Sequence, residues 1–153
     1  MATGMMFPDF DEVHPLARGP FVALANELHY LWSKGLIPVW FRPFEIYRTP
    51  QRQVEMLRTG KSKAGPWSSA HQYGLAVDFV PYIRGSWSWT VPLTTWDHLR
   101  EQAHKVGLLN DIEWDRAHVE HPAFAKLRAA LQPKVSAVPN AAHLSEQPPK
   151  VRG

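Results

Sequence analysis

Apolar residues at Phe21, Leu24, Ala25, Leu28, Leu31 and Trp32 recur every three to four positions, the stripe of an amphipathic helix over 21–34. Pro20 stands near its start and Gly35 just beyond its end, the asymmetry that helix termini favour. Residues 38–47 are rich in Val, Trp, Phe, Ile and Tyr and predict a strand. Pro43 marks it as an edge or a bulge, because proline cannot donate to a ladder. Thr49-Pro50 has the chemistry of an N-cap and first helical position, opening a short helix that Gly60 stops. A polar loop occupies 61–70. From 75 to 82 the chain alternates, with Ala76, Asp78 and Val80 on one face and Leu75, Val77 and Phe79 on the other. A loop holding Trp87 and Trp89 leads to a helix over 95–106, whose buried stripe is Trp96, Leu99, Ala103 and Val106. A last strand is expected over 114–120 and a final helix over 123–131.

Helices thus alternate with short strands through connections too irregular for a regular parallel sheet. The expectation is an α+β fold, a small, mostly antiparallel sheet flanked by helices. At 153 residues, 44% of them hydrophobic, the chain is the size of one domain, predicted over 1–131 with its core at about 20–125. Residues 132–153 contain four prolines and no periodicity, so a disordered tail is expected there.

Net charge is +3 with eight histidines counted neutral, a mild bias toward polyanionic partners that chooses none of them. The absence of cysteine excludes disulfides, thiolate zinc sites and cysteine nucleophiles. Nucleic acid is not an expected partner, since no basic recognition helix or zinc-finger pattern is present. The first fifteen residues lack a basic start and an apolar run and carry Asp9, Asp11 and Glu12, so no secretory signal is expected. No stretch is long and apolar enough to insert in a bilayer. A substrate outside the membrane would require something else to release the protein from the cytoplasm.

The chemistry concentrates in two segments. Ser69, His71, Gly74, Ala76 and Asp78 fall within SAHQYGLAVD, and Asp115 and His118 within WDRAHVE. Two imidazoles and a carboxylate suit one zinc ion, which hydrolases hold through three N/O ligands while a position stays open to water. His71 and Asp78, seven residues apart, would face opposite ways on a continuous strand; Gly74 permits the turn that brings both inward. His118 and Glu120 share a face of the last strand, while Asp115 must come from the bend before it. His14, His29, His98, His104, His121 and His143 are read as structural or flanking, the ordinary fate of such residues.

These residues resemble the zinc peptidases of the D-alanyl-D-alanine carboxypeptidase and L-alanyl-D-glutamate endopeptidase family (peptidase M15 type), which includes phage endolysins. The family pattern S-x-H-x-x-G-x-A-x-D is matched by Ser69, His71, Gly74, Ala76 and Asp78, and the second motif by Asp115-Arg116-Ala117-His118. An upstream arginine before a glutamine-containing helix is matched by Arg48 and Gln53. The resemblance spans about 21–124 and implies a hedgehog/D,D-peptidase-like α+β domain binding one Zn2+ through His71, Asp78 and His118. It further implies Asp115 as general base, with Glu113 as competitor, and Arg48 as a cation for a developing oxyanion or a substrate carboxylate. Ser69 and Gln53 would contact substrate or support the metal shell. Two bland alternatives stay open: Arg48 pairing with Glu45 or Glu55 on the surface, and Ser69 merely capping a turn. Trp67, Trp87 and Trp89 could line a cleft or pack inside, and Arg58, Lys61 and Lys63 could meet an anionic polymer. The implied activity is cleavage of a peptidoglycan stem peptide by a monomer, at the L-alanyl-D-glutamate bond as in bacteriolytic endolysins released through a holin. The alternatives are a D-alanyl-D-alanine carboxypeptidase and a non-catalytic zinc-containing wall- or protein-binding domain.

Overall fold

A computed structural model describes residues 8–65 and 68–136. The order is a 3-10 turn at Pro8–Glu12, α1 (Pro15–Ser33), β1 (Trp40–Glu45), α2 (Pro50–Arg58), a second 3-10 turn at Ala70–Tyr73, β2 (Ala76–Ile83), β3 (Ser86–Trp87), α3 (Leu93–Lys105), β4 (His118–Glu120) and α4 (Ala123–Ser136). The expected α+β architecture is present. All strand pairs are antiparallel and all run through β2. Tyr82 faces Trp40 on one edge and Trp87 on the other, and Asp78 likewise faces Glu45 and His118, so β1 lies on one side of β2 and β3 and β4 on the other. As an edge strand with a register shift between Pro43 and Glu45, β1 meets both expectations raised by Pro43.

The two faces of β2 divide the labour. Val77 and Phe79, with Phe41 and Val119, are fully buried with Phe21, Leu24, Leu28, Trp96 and Leu99 in one core. Each such side chain contributes about 1.5–3 kcal/mol of burial. The opposite face carries Asp78 and Tyr82, interleaved with Ala76 and Val80, which are also fully buried in the core.

Several boundaries differ from expectation. Helix α1 starts at Pro15, with His14 Nδ1 accepting from Leu16 N at 3.0 Å, so Pro20 lies inside it. The last strand has three residues rather than seven. Asn110 Nδ2 donates to the carbonyls of Arg116 at 2.7 Å and His118 at 2.8 Å, satisfying with a side chain what a neighbouring strand would otherwise bond. Helix α4 runs past residue 131 to Ser136. The remainder of the expected tail, 137–153, and Trp67 lie outside the described residues.

Candidate metal centre

Each ligand candidate is delivered by a local device. Ser69 caps the 3-10 turn at Ala70–Tyr73, its Oγ accepting from His71 N at 3.3 Å. Gly74 ends that turn at φ +69°, and its carbonyl accepts from His14 N at 2.8 Å. A Cβ at Gly74 would stand 2.7 Å from both the Glu12 carbonyl oxygen and the His14 nitrogen, so the close approach itself requires glycine. The reversal carries His71 back over β2, where Asp78 is directly paired with His118 of β4.

His71, Asp78 and His118 consequently converge. One ligand atom from each lies within 4.8 Å of the others, and all three residues are buried. His71 Nε2 is 3.0 Å from Asp78 Oδ1, and His118 Nδ1 is 3.6 Å from the same oxygen. The far side of each ring is held as well. His71 Nδ1 meets the Ile46 carbonyl at 2.8 Å, and His118 Nε2 meets Glu120 Oε1 at 2.7 Å. Imidazoles anchored from behind by a carbonyl and a carboxylate present the opposite nitrogen's lone pair inward, as metal-binding histidines do. Burial opposes ionisation of Asp78, yet the adjoining His71 and His118 outweigh it and hold its carboxyl well below the ordinary carboxylate range. The donor set, two nitrogens and one anionic oxygen, fits zinc.

Arg48 reaches the same place from the β1–α2 connection. Its guanidinium is buried, not a surface partner of Glu55, which instead pairs with Arg58. Arg48 Nη1 donates to Gln53 Oε1 at 2.8 Å and Nη2 to Glu45 Oε1 at 3.0 Å, with Asp78 Oδ2 at 3.6 Å. Gln53 donates onward to Ser62 Oγ at 2.9 Å and to the Ala64 carbonyl, tying the polar loop to α2. Gln53 and Ser69 are both fully enclosed, their polar atoms bonded inward.

Asp115 is half-buried on the turn leading into β4, its carbonyl accepting from His118 N at 3.1 Å. Glu113 is different: its side chain is 73% exposed and ion-paired with Arg100 at 2.9 Å. Of the basic loop, Arg58 is engaged with Glu55, and Lys63 Nζ stands 4.8 Å from the centre of the Trp114 ring. A cavity of about 250 Å3 opens beside His118 and Glu120, walled by Leu109, Ile112, Phe124 and Arg128. Glu120 was legible only as sharing a face with His118; a carboxylate two residues from a strand histidine is the signal that finds its role.

No model of a known protein family matches the chain, and no curated protein matches it. Solved structures do. The L-Ala D-Glu endopeptidase ChiX of Serratia marcescens superposes with a TM-score of 0.52 at 22% sequence identity, covering 78% of this chain and 86% of that one. The L,D-carboxypeptidase DacB from Streptococcus pneumonia gives a TM-score of 0.51 at 16% identity, covering 88% and 78%. The shared feature is the fold; one neighbour is an endopeptidase of the L-Ala D-Glu bond, which the motif resemblance also names, and the other an L,D-carboxypeptidase.

Proposed function

We propose that the protein is a zinc-dependent peptidase of the peptidoglycan stem peptide, cutting the L-alanyl-D-glutamate bond as an endolysin does. One observation carries this reading: the buried His71–Asp78–His118 cluster, each imidazole backed by an acceptor, beside a cavity. The likeness in fold to an L-Ala D-Glu endopeptidase supports the choice of bond. When bound, zinc supplies Lewis-acid polarisation of the scissile carbonyl and of water.

The chain's own residues do the rest. Asp115 takes the proton from the attacking water on its carboxylate and delivers it to the departing amine nitrogen. Its place in the turn before His118 supports that role over Glu113, which is committed to Arg100 at the surface. Arg48 is enclosed by Glu45, Gln53 and Asp78, which supports a role as the fixed cation that orients Asp78 and offsets the local negative charge. Gln53 and Ser69, expected at the substrate, act from behind: one fixes Arg48, the other shapes the turn that carries His71. The cavity beside His118 receives the stem peptide, between the apolar walls of Leu109, Ile112 and Phe124. The protein acts as a monomer at the wall after release from the cytoplasm.

A second reading, a carboxypeptidase removing a terminal D-alanine, is favoured by the likeness to an L,D-carboxypeptidase. Mass spectrometry of muropeptides after incubation with the zinc-loaded protein separates the two. New amino termini on glutamate support the endopeptidase; free D-alanine supports the carboxypeptidase. Zinc binding with no product from sacculi would leave a non-catalytic zinc domain. In the same assay Asp115→Ala should retain zinc and lose at least about 100-fold in turnover, whereas Glu113→Ala should retain both.

A further inference from the structure

The sheet face that bears Asp78 does not end at the metal centre. Four residues along β2, about 13 Å at the rise of a strand, Tyr82 stands on the same face, flanked by Trp40 on β1 and Trp87 on β3. Six rings form an unbroken series there. Trp32 stacks on Trp40 at 5.4 Å between centroids, Trp40 meets Tyr82 at 6.3 Å, and Tyr82 meets Trp87 at 5.0 Å. Phe44 then stands edge-on to both Trp87, at 5.0 Å, and Trp89, at 5.2 Å. Although held in mutual contact, Trp32, Phe44, Trp87 and Trp89 remain 40%, 41%, 37% and 49% exposed. At the middle lies the Arg42 guanidinium, 5.2, 4.6 and 5.7 Å from the Trp40, Tyr82 and Trp87 ring centres. Among the described residues, no hydrogen bond or ion pair occupies its N–H groups.

We propose that this shelf binds the glycan strand of the polymer whose stem peptide enters the metal centre. The inference rests on the peptidoglycan reading above. Pyranose rings offer a flat face of weakly positive C–H groups, which suits the negative faces of aromatic rings, and keep their polar groups at the rim. Arg42, braced by cation–π contacts, places its N–H donors where hydroxyl or acetamido oxygens of such a chain would lie. The rings curve around Arg42, from Trp40 of β1 across Tyr82 to Trp87 of β3 and back to Phe44 of β1, a surface wide enough for more than one sugar and on the same sheet face as Asp78.

Chitotetraose, a soluble glycan free of peptide, is titrated into the full-length, zinc-loaded protein and followed by tryptophan fluorescence and NMR. The expected result is saturable binding, weakened about tenfold in Trp89→Ala and in Phe44→Ala. Hydrolysis gives the second readout. With intact sacculi both variants should lose about tenfold in kcat/KM through KM, while a free stem pentapeptide is cleaved as by wild type. Absence of saturable glycan binding overturns the proposal, as does equal binding by all three proteins. Self-association that the substitutions abolish, without glycan binding, overturns it in favour of a second copy. Glycan binding by a wild-type protein that cleaves neither substrate upholds the shelf and refutes the peptidase reading.

Discussion

Two glycines with nearly the same backbone conformation offer a controlled test of how the metal centre is assembled. Gly74 has φ +69° and Gly60 φ +78°. Both are in the left-handed region, where an alanine costs about 1–2 kcal/mol. They differ in surroundings. A Cβ at Gly60 meets nothing within 4 Å, whereas one at Gly74 stands 2.7 Å from two backbone atoms, the Glu12 oxygen and the His14 nitrogen. Those atoms cannot swing aside as a flexible side chain can. Forcing them apart costs about 1–3 kcal/mol, as overpacking does. It also breaks the 2.8 Å bond from His14 N to the Gly74 carbonyl, worth about 1 kcal/mol. Gly74→Ala should therefore be less stable than Gly60→Ala by about 2–4 kcal/mol. Urea unfolding followed by tryptophan fluorescence measures this directly, provided the slopes agree. Because the turn also carries His71 toward Asp78, zinc affinity should fall in Gly74→Ala and stay unchanged in Gly60→Ala. Stabilities of the two variants within about 0.5 kcal/mol of each other would refute the close-approach reasoning and leave backbone angle as the whole effect.

Other perturbations probe the supports of the site. Glu120→Ala removes the acceptor behind His118 and should weaken zinc binding by about 10–100-fold; unchanged affinity in a competition titration would show that the ring needs no such brace. Gln53→Ala strips a buried partner from Arg48 and another from Ser62, with an expected loss of about 1–3 kcal/mol in unfolding free energy. Acid should act on Asp78 with a definite sign. Its carboxyl titrates lower in the folded protein than in the unfolded chain, so the stability it contributes is complete above about pH 3.9 and disappears as pH falls through the lower folded value. Thermal unfolding of the metal-free protein should therefore show an acid-side loss below about pH 4 that Asp78→Asn lacks; parallel curves would contradict it.

What the sequence disclosed, and what it did not, follows from the range of the interactions. Asp78 was legible because alternation along β2 is a local signal, and Gly74 because the His71–Asp78 spacing needs a reversal. Helix α2 was legible from its Thr49 cap, whose side chain accepts from Arg52 N at 3.0 Å. The start of α1 was not, since histidine is an unusual cap and Pro20 looked like a beginning rather than an interior residue. The 3-10 turns and the two-residue β3 are too short to impose a period. The shortened β4 depends on Asn110, a contact that no pattern within 114–120 reveals. Arg48 was found by its motif, but its enclosure by Glu45, Gln53 and Asp78 is a tertiary fact that changes what it can touch. The exposure of Trp87 and Trp89 was undecidable from sequence, where burial is the commoner fate of tryptophan.

Hydrolysis at this site requires His71, Asp78 and His118 to converge on a single divalent ion. X-ray absorption at the zinc edge on the metal-loaded protein tests it most directly, with Asp78→Ala and His118→Ala alongside. One zinc per chain is expected, with two imidazole nitrogens and a carboxylate oxygen at about 2.0–2.2 Å, and its loss in both variants. A protein that retains no zinc, or one whose metal shell survives both substitutions, would contradict it.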